Sequence, residues 1–169
     1  MRISSILLIA VVLSACSSAA EDPPVQAVST TTPAPLPSEV SVPPQISDFR
    51  VKQVAVDGQQ LTLAIADGPS LRRQGLQGVT DLEDLDGMLF FWRHDGDAFW
   101  MKDTLIPLDI VWFNEDGSYK DRASMLPCTA DPCETYRPAD GLDFRYAIEA
   151  APGTLDWITP STVIVYIDD

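Results

Sequence analysis

The chain has 169 residues, of which 11 are Lys or Arg and 25 are Asp or Glu, so its formal net charge is −14. This balance argues against binding to nucleic acid, or to anionic lipid through a polybasic patch, because both require a basic protein face. A single His and three Cys exclude a three-His catalytic zinc site and a four-Cys structural zinc site. We therefore expect no metal and no cofactor.

Residues 1–15 are typical of a secretory signal peptide. Arg2 precedes an unbroken apolar run over residues 6–13, which is far shorter than the ~20 residues that span a bilayer. The run ends in Leu13-Ser14-Ala15-Cys16, which resembles the bacterial lipobox, whose cysteine is lipidated and becomes the new N-terminus. We predict an extracytoplasmic lipoprotein anchored to the membrane through Cys16. The alternative is an ordinary signal peptide that carries a Cys at its cleavage site.

Residues 16–45 are predicted to form a Pro/Ser/Thr-rich linker. They contain seven of the 14 prolines and no aromatic residue, so they cannot bury enough apolar surface to offset their conformational entropy. Pro-rich chains are semi-rigid spacers, and we expect this one to hold the domain away from the membrane. Specific recognition of this Pro-rich segment by a partner protein is less favoured, because no basic residue flanks a Pro pair to orient the docking. The folded domain is then residues 46–169.

Eight strand-like segments follow, with turn residues between them. They cover residues 49–56, 61–66, 88–92, 98–102, 108–114, 119–125, 144–150 and 162–167. Asp57-Gly58 predicts a hairpin between the first two, and residues 69–74 and 152–158 predict short helical turns. Strands this close leave no room for crossover helices. The sequence therefore predicts a mainly β fold, a sandwich or jelly-roll-like single domain with one or two short helices.

A series of motifs in this region resembles the domain-of-unknown-function family 192. The motifs are Arg72-x-x-Gly75-Leu76, Gly87-Met88-Leu89-Phe90-Phe91, Trp100-Met101-Lys102-Asp103-Thr104, Pro107-Leu108-Asp109-Ile110 and Ala147-Ile148-Glu149-Ala150. The resemblance covers about residues 50–167 and implies a mostly β sandwich-like or jelly-roll-like fold with no established activity. Two positions depart from the family pattern: Asp103 stands where Asn is common, and Gln77 where Met is common.

The Trp100 motif supplies a candidate ligand-binding site. Trp100 and Lys102 share one strand face, and Asp109 begins the next strand, so Lys102 and Asp109 could meet across the connection. The functional interpretation is a polar pocket floored by Trp100, with Lys102 and Asp109 as charged groups, Thr104 in the same motif and Arg72 nearby. The alternative is a packing device, in which the Lys102 stem lies on Trp100 and its ammonium pairs with Asp109.

Glu149 is a lone carboxylate in an otherwise apolar, alternating strand. Ala147 and Ala151 share its face, and a carboxylate on such a surface could act as a general acid or base with Asp109. The alternatives are a solvated side chain or an ion pair with Arg145.

Two further features have mainly structural interpretations. Cys128 and Cys133 predict a disulfide in an oxidising compartment, because their spacing is not the C-x-x-C of a redox or metal-binding pair. The acidic run over residues 81–86 fails the EF-hand pattern, so a solvated loop is favoured over a calcium site.

Eight of the aromatic residues fall between Phe90 and Tyr119, and those outside the core would suit a groove for a sugar or a small apolar ligand. We expect a cell-envelope binding or accessory module for a small molecule or glycan. One alternative is an envelope hydrolase that uses Asp109 and Glu149. The other is a structural or assembly factor whose surface at residues 100–109 docks a partner protein. Convergence of Arg72, Lys102, Asp109 and Glu149 on one cavity would favour a single site.

Overall fold

A computed structural model describes residues 40–166 of the chain. The predicted signal peptide, the predicted lipidation site Cys16 and most of the predicted linker lie outside these residues. Within residues 40–166, no helix is long and apolar enough to cross a membrane. The elements are a 3₁₀ turn (Pro44–Ile46), β1 (Arg50–Val56), β2 (Gln59–Ala66), α1 (Pro69–Gln74), β3 (Gly87–Phe91), β4 (Phe99–Trp100), β5 (Leu108–Phe113), β6 (Tyr119–Met125), β7 (Thr135–Tyr136), β8 (Tyr146–Ala150) and β9 (Ile164–Val165).

Seven of the strands form one curled sheet in the order β6-β5-β8-β3-β2-β1-β9, and β4 pairs with β7 in a two-stranded ribbon. The ends of the large sheet approach each other, because Ser118 bridges Val163 and the Ile164 N–H donates to the Gly117 carbonyl at 2.9 Å. A Cβ on Gly117 would lie 2.3 Å from the Ile164 carbonyl oxygen, so only glycine fits this close approach. The predicted mainly β class, with few and short helical segments, is confirmed.

The connection between β2 and β3 differs from the expectation. These two strands are parallel, and parallel neighbours need a crossover of about a dozen residues or more. Residues 67–86 supply it with the single short helix α1, which begins at Pro69 and ends at Gly75, whose φ is 50°. The close spacing of the strands therefore does leave room for one crossover, and the expectation of none was wrong.

Strand register divides the sheet into two apolar faces. One row across four strands runs Ala64, Met88, Glu149 and Ile110, and the neighbouring row on the opposite face runs Ile65, Leu89, Ile148 and Val111. Each row belongs to a separate buried cluster. Because side chains alternate between faces, Glu149 is the one ionisable member of an otherwise apolar row.

Residues 40–46 pack onto the domain. Val40 and Val42 contact the cluster that contains Phe90, and Ile46 is fully buried. The Gln45 carbonyl accepts a hydrogen bond from the Gln74 side chain at 2.7 Å, which ties this segment to α1. Six residues assigned to the linker, 40–45, thus already lie against the folded domain.

The loop between β6 and β7 contains the predicted disulfide. Cys128 and Cys133 are bonded to each other, with their Cα atoms 5.5 Å apart. The predicted disulfide is therefore present in the structure.

Candidate functional site

A cavity of about 280 Å³ lies between α1, β4 and the sheet face that carries Glu149. Its apolar wall consists of Phe90, Trp92 and Phe99, and Trp100 forms part of its rim with 47% of its surface exposed. The Phe90 and Phe99 rings meet edge to face with centroids 5.0 Å apart, a favourable geometry for aromatic pairs. The wall is therefore fixed by packing between the sheet and the ribbon.

Glu149 lines this cavity as a buried carboxyl group. Its side chain leaves β8 between Met88 on β3 and Ile110 on β5, and the residue is only 4% exposed. Among residues 40–166 no hydrogen-bond donor or cation contacts it, and burial alone raises its pKa from 4.5 to about 8. At pH 7 about nine-tenths of the molecules therefore carry a protonated, uncharged Glu149.

Arg72 enters the cavity from α1. Its Nη1 donates to the Asp67 carbonyl at 2.7 Å and to the Phe91 carbonyl at 2.9 Å, and its guanidinium carbon lies 5.2 Å from the Trp92 ring centroid. Its Nε is buried without an acceptor. Burial lowers the pKa of Arg72, whereas the charges of Asp97 and Asp67 raise it. The Arg72 side chain remains a cation, and the two carbonyl groups that bind its Nη1 hold it in place.

Several further polar residues line the cavity, among them Asp97, Thr104 and Gln77. Asp97 accepts a hydrogen bond from the Trp92 indole at 3.2 Å, Thr104 is 7% exposed, and Gln77 lies where the family more often has Met. Of the residues expected at one site, Arg72, Trp100, Thr104 and Glu149 line this cavity, so only two of the four residues whose convergence would favour a single site, Arg72 and Glu149, meet in it.

Lys102 and Asp109 do not line the cavity. The Lys102 ammonium lies 5.7 Å from the Trp100 ring centroid and 3.6 Å from the Asp131 carboxylate. The stacking part of the packing alternative is thus present, with Asp131 in place of Asp109 as the charged partner.

Asp109 lies on the opposite face of the sheet from Glu149. It pairs with Ala150, whereas Glu149 pairs with Ile110, and successive residues of a strand point to opposite faces. Its carboxylate accepts hydrogen bonds from the Ser124 hydroxyl at 2.6 Å and the Gly153 N–H at 2.9 Å. It fastens the turn after β8 to the sheet, and no Asp109–Glu149 carboxyl pair is formed.

Arg145 and the acidic run over residues 81–86 make contacts that do not involve Glu149. Arg145 pairs with Asp95 at 3.0 Å and with Glu115 at 3.6 Å, and not with Glu149. In the acidic run, Asp81, Asp84 and Asp86 accept hydrogen bonds from backbone N–H groups of Glu83, Ser41 and Thr62. The run thus caps its own backbone at Glu83 and ties the loop to Ser41 and to β2, as a structural loop would.

Sequence reasoning missed Trp92 and Asp97 as cavity residues. Trp92 ends a continuous apolar run, which carries no periodicity to show which face it takes. Asp97 lies in a polar segment over residues 93–97 and is exposed, and no sequence pattern marks its contact with the Trp92 indole, which forms only in the folded chain.

A mainly β domain with one aromatic-walled cavity beside a short crossover helix defines the class of this protein. Its sequence matches the model of the DUF192 family, described as "Uncharacterized ACR", over residues 52–161. The chain belongs to that family. No curated protein matches the chain significantly.

Two crystal structures are similar to the chain. A protein of unknown function from Novosphingobium aromaticivorans DSM 12444 is 27% identical, with a TM-score of 0.61 over 75% of this chain and 91% of that one. A protein from Sinorhizobium meliloti 1021, described provisionally as a transcription regulator, is 25% identical, with a TM-score of 0.58 over 69% of this chain and 94% of that one. Both neighbours support the fold.

Proposed function

We propose that this domain binds a small polar molecule in the cavity between α1, β4 and β8. One observation carries the proposal: Glu149 is 4% exposed, faces the cavity, and has no hydrogen-bond partner among the described residues. A largely buried carboxyl that has no protein partner carries a cost in free energy. A bound ligand that hydrogen-bonds the carboxyl would remove this cost.

The walls and the size of the cavity support the same function. Ligand sites are mostly apolar and aromatic with a few placed polar groups, and here Phe90, Trp92 and Phe99 surround Arg72 and Glu149. The volume of about 280 Å³ falls just below the ~300–1,000 Å³ range of sites for drug-sized molecules. The ligand is therefore small, about the size of one ring with its substituents.

Two other functions are less well supported. The hydrolase hypothesis required Asp109 beside Glu149, and the two carboxyl groups lie on opposite sheet faces. A role in transcription, as in the description of the S. meliloti neighbour, is not favoured for this chain, because its net charge of −14 opposes binding to a phosphate backbone.

The location of the domain remains a proposal from the sequence. The apolar run and the Leu-Ser-Ala-Cys motif favour a lipoprotein held outside the cytoplasm by Cys16, with the Pro-rich segment as a spacer. A binding domain on such a spacer would take its ligand from the cell envelope or its surroundings.

Indole N–H resonances of the full chain test the binding proposal. Trp92 and Trp100 line the cavity, whereas Trp157 donates to the Thr154 carbonyl and packs with the other apolar cluster. We expect a library of small polar fragments to contain members that shift the Trp92 and Trp100 signals and leave Trp157 unmoved. An Ala98→Trp substitution at the exposed rim should abolish these shifts, and Ala139→Trp on an exposed loop is the matched control. A library that leaves the Trp92 signal unmoved, or shifts that survive Ala98→Trp, would contradict the proposal.

A further inference from the structure

Resting on the proposed binding function, we infer that the ligand is a small carboxylate with an apolar body, whose carboxylate is received by the Arg72 guanidinium and the Glu149 carboxyl group. The inference follows from the hydrogen-bonding groups that the cavity leaves without partners, and from the charges that surround them.

Arg72 and Glu149 each offer the cavity a hydrogen-bond donor without a partner. Arg72 uses only Nη1 for its two carbonyl acceptors, and its Nε has none. The Trp92 indole N–H is already taken by Asp97. Glu149, protonated at pH 7, offers one O–H donor. A ligand that brings acceptors satisfies both residues, and an ionised carboxylate is a pure acceptor whose two oxygens match a guanidinium.

The charges around Glu149 favour an anion over a cation. The charged groups that line the cavity with it are Arg72 and Arg73 on α1 and Asp97 before β4, and its strand neighbours Met88 and Ile110 are apolar. With Glu149 uncharged, the lining carries two positive charges and one negative charge. An ammonium ligand would face an excess of like charge, whereas a carboxylate adds the missing negative charge.

The remaining walls suit the apolar body of such a ligand. Leu76, Phe90 and Phe99 are each less than a tenth exposed and face the cavity. A sugar would place several hydroxyl donors there, and among the acidic residues of the lining Asp97 is already engaged with Trp92. A neutral amide and an amine are therefore the alternative outcomes of the test.

Benzoate, benzamide and benzylamine form a matched probe set, because they share a ring and differ in the charge of one substituent. Dissociation constants for the full chain are measured from the Trp92 and Trp100 indole shifts at pH 7. We expect benzoate to bind at least tenfold more tightly than either of the others. Between pH 7 and pH 9 its affinity should fall about tenfold, because the protonated fraction of a carboxyl with a pKa of about 8 falls from about 0.9 to about 0.1.

Two variants separate the roles of the two residues. Glu149→Gln keeps a neutral donor at this position, so benzoate should still bind and the loss between pH 7 and pH 9 should disappear. Arg72→Gln should weaken benzoate at least tenfold while benzamide changes less than twofold, and Arg137→Gln at an exposed position is the control. The pH profile of the unmodified chain needs no variant, so the inference stays testable if a substitution impairs folding.

Benzamide or benzylamine binding as tightly as benzoate would overturn the carboxylate inference and leave the binding function standing. A benzoate affinity that does not change from pH 7 to pH 9 would show that the Glu149 carboxyl does not bind the carboxylate. If none of the three probes moves the Trp92 signal, the inference fails, and the fragment library alone then decides the binding function.

Discussion

Replacement of Glu149 by Gln should stabilise the protein at alkaline pH and have little effect at acidic pH. The folded-state pKa of Glu149 is about 8, against an ordinary value of 4.5, and the cause is burial. A raised pKa means that folding favours the protonated form. The stability associated with this form is fully present below pH 4.5 and is lost as the pH rises through 8. Gln has no such titration, so its contribution stays constant.

The size of the effect follows from the shift. One pH unit corresponds to about 1.4 kcal/mol, so a rise from 4.5 to about 8 amounts to about 5 kcal/mol of unfolding free energy. Glu149 is 4% exposed and lines an open cavity, so water in the cavity makes about 5 kcal/mol an upper limit. Below pH 4.5 the Gln and the protonated Glu are similar in shape and polarity, and we expect the two chains to agree within about 1 kcal/mol.

Urea unfolding of the wild-type and Glu149→Gln chains from pH 4 to pH 9 measures this difference directly. Other titrating groups contribute equally to both chains and cancel in the comparison. Glu134→Gln, at an exposed position, is the matched control and should follow the wild type throughout. A difference that stays constant with pH, or that grows toward low pH, would refute the assignment of Glu149 as a buried, unpartnered carboxyl.

Three further predictions concern other residues of the domain and the anchor. Asp109→Ala should cost about 1–3 kcal/mol in urea unfolding, because the Gly153 N–H and the Ser124 hydroxyl lose their acceptor; unchanged stability with weakened cavity binding would instead place Asp109 in the site. Asp103 has a φ of 57°, a conformation that Asn adopts as readily as Asp. Asp103→Asn should therefore change the unfolding free energy by less than about 0.5 kcal/mol. A loss above about 1 kcal/mol would show that the carboxylate contributes to stability. Cys16→Ser should move the protein from the membrane fraction to the soluble fraction, and full membrane retention would argue against lipidation.

Strand positions were largely predictable because they depend on local alternation. The segment predicted over 119–125 matches β6, and the segments predicted over 49–56 and 108–114 differ from β1 and β5 by one residue each. The two-residue strand β7 was missed, because Thr135–Tyr136 is too short to show any period. Pairing order was not predictable, since it depends on contacts between distant parts of the chain, such as Ser118 with Val163.

The sequence predicts which site residues share a sheet face only when those residues lie on the same strand. Alternation correctly places Ala147 and Glu149 on one face, because both lie on β8. The face of Asp109 relative to Glu149 depends on the register between β5 and β8, which pairs Asp109 with Ala150. A shift of one residue would have brought both carboxylates to the same face, and the sequence contains no signal that fixes this register.

The family's preference for Asn at position 103 also gains a physical reason. Asp103 occupies the left-handed region, with its carbonyl accepting the Gly78 N–H at 2.8 Å. Asn and Asp adopt this conformation more readily than other residues with a side chain. The sequence departure is thus explained by the backbone, and it leaves the cavity lining unaffected.

The carboxyl ¹³C resonance of Glu149, identified by its absence from the Glu149→Gln chain, tests the central claim most directly. The cavity account predicts a titration midpoint near 8 and a resonance that moves when a fragment shifts the Trp92 indole signal. A midpoint near 4.5, with a resonance that no cavity-bound fragment moves, would contradict it.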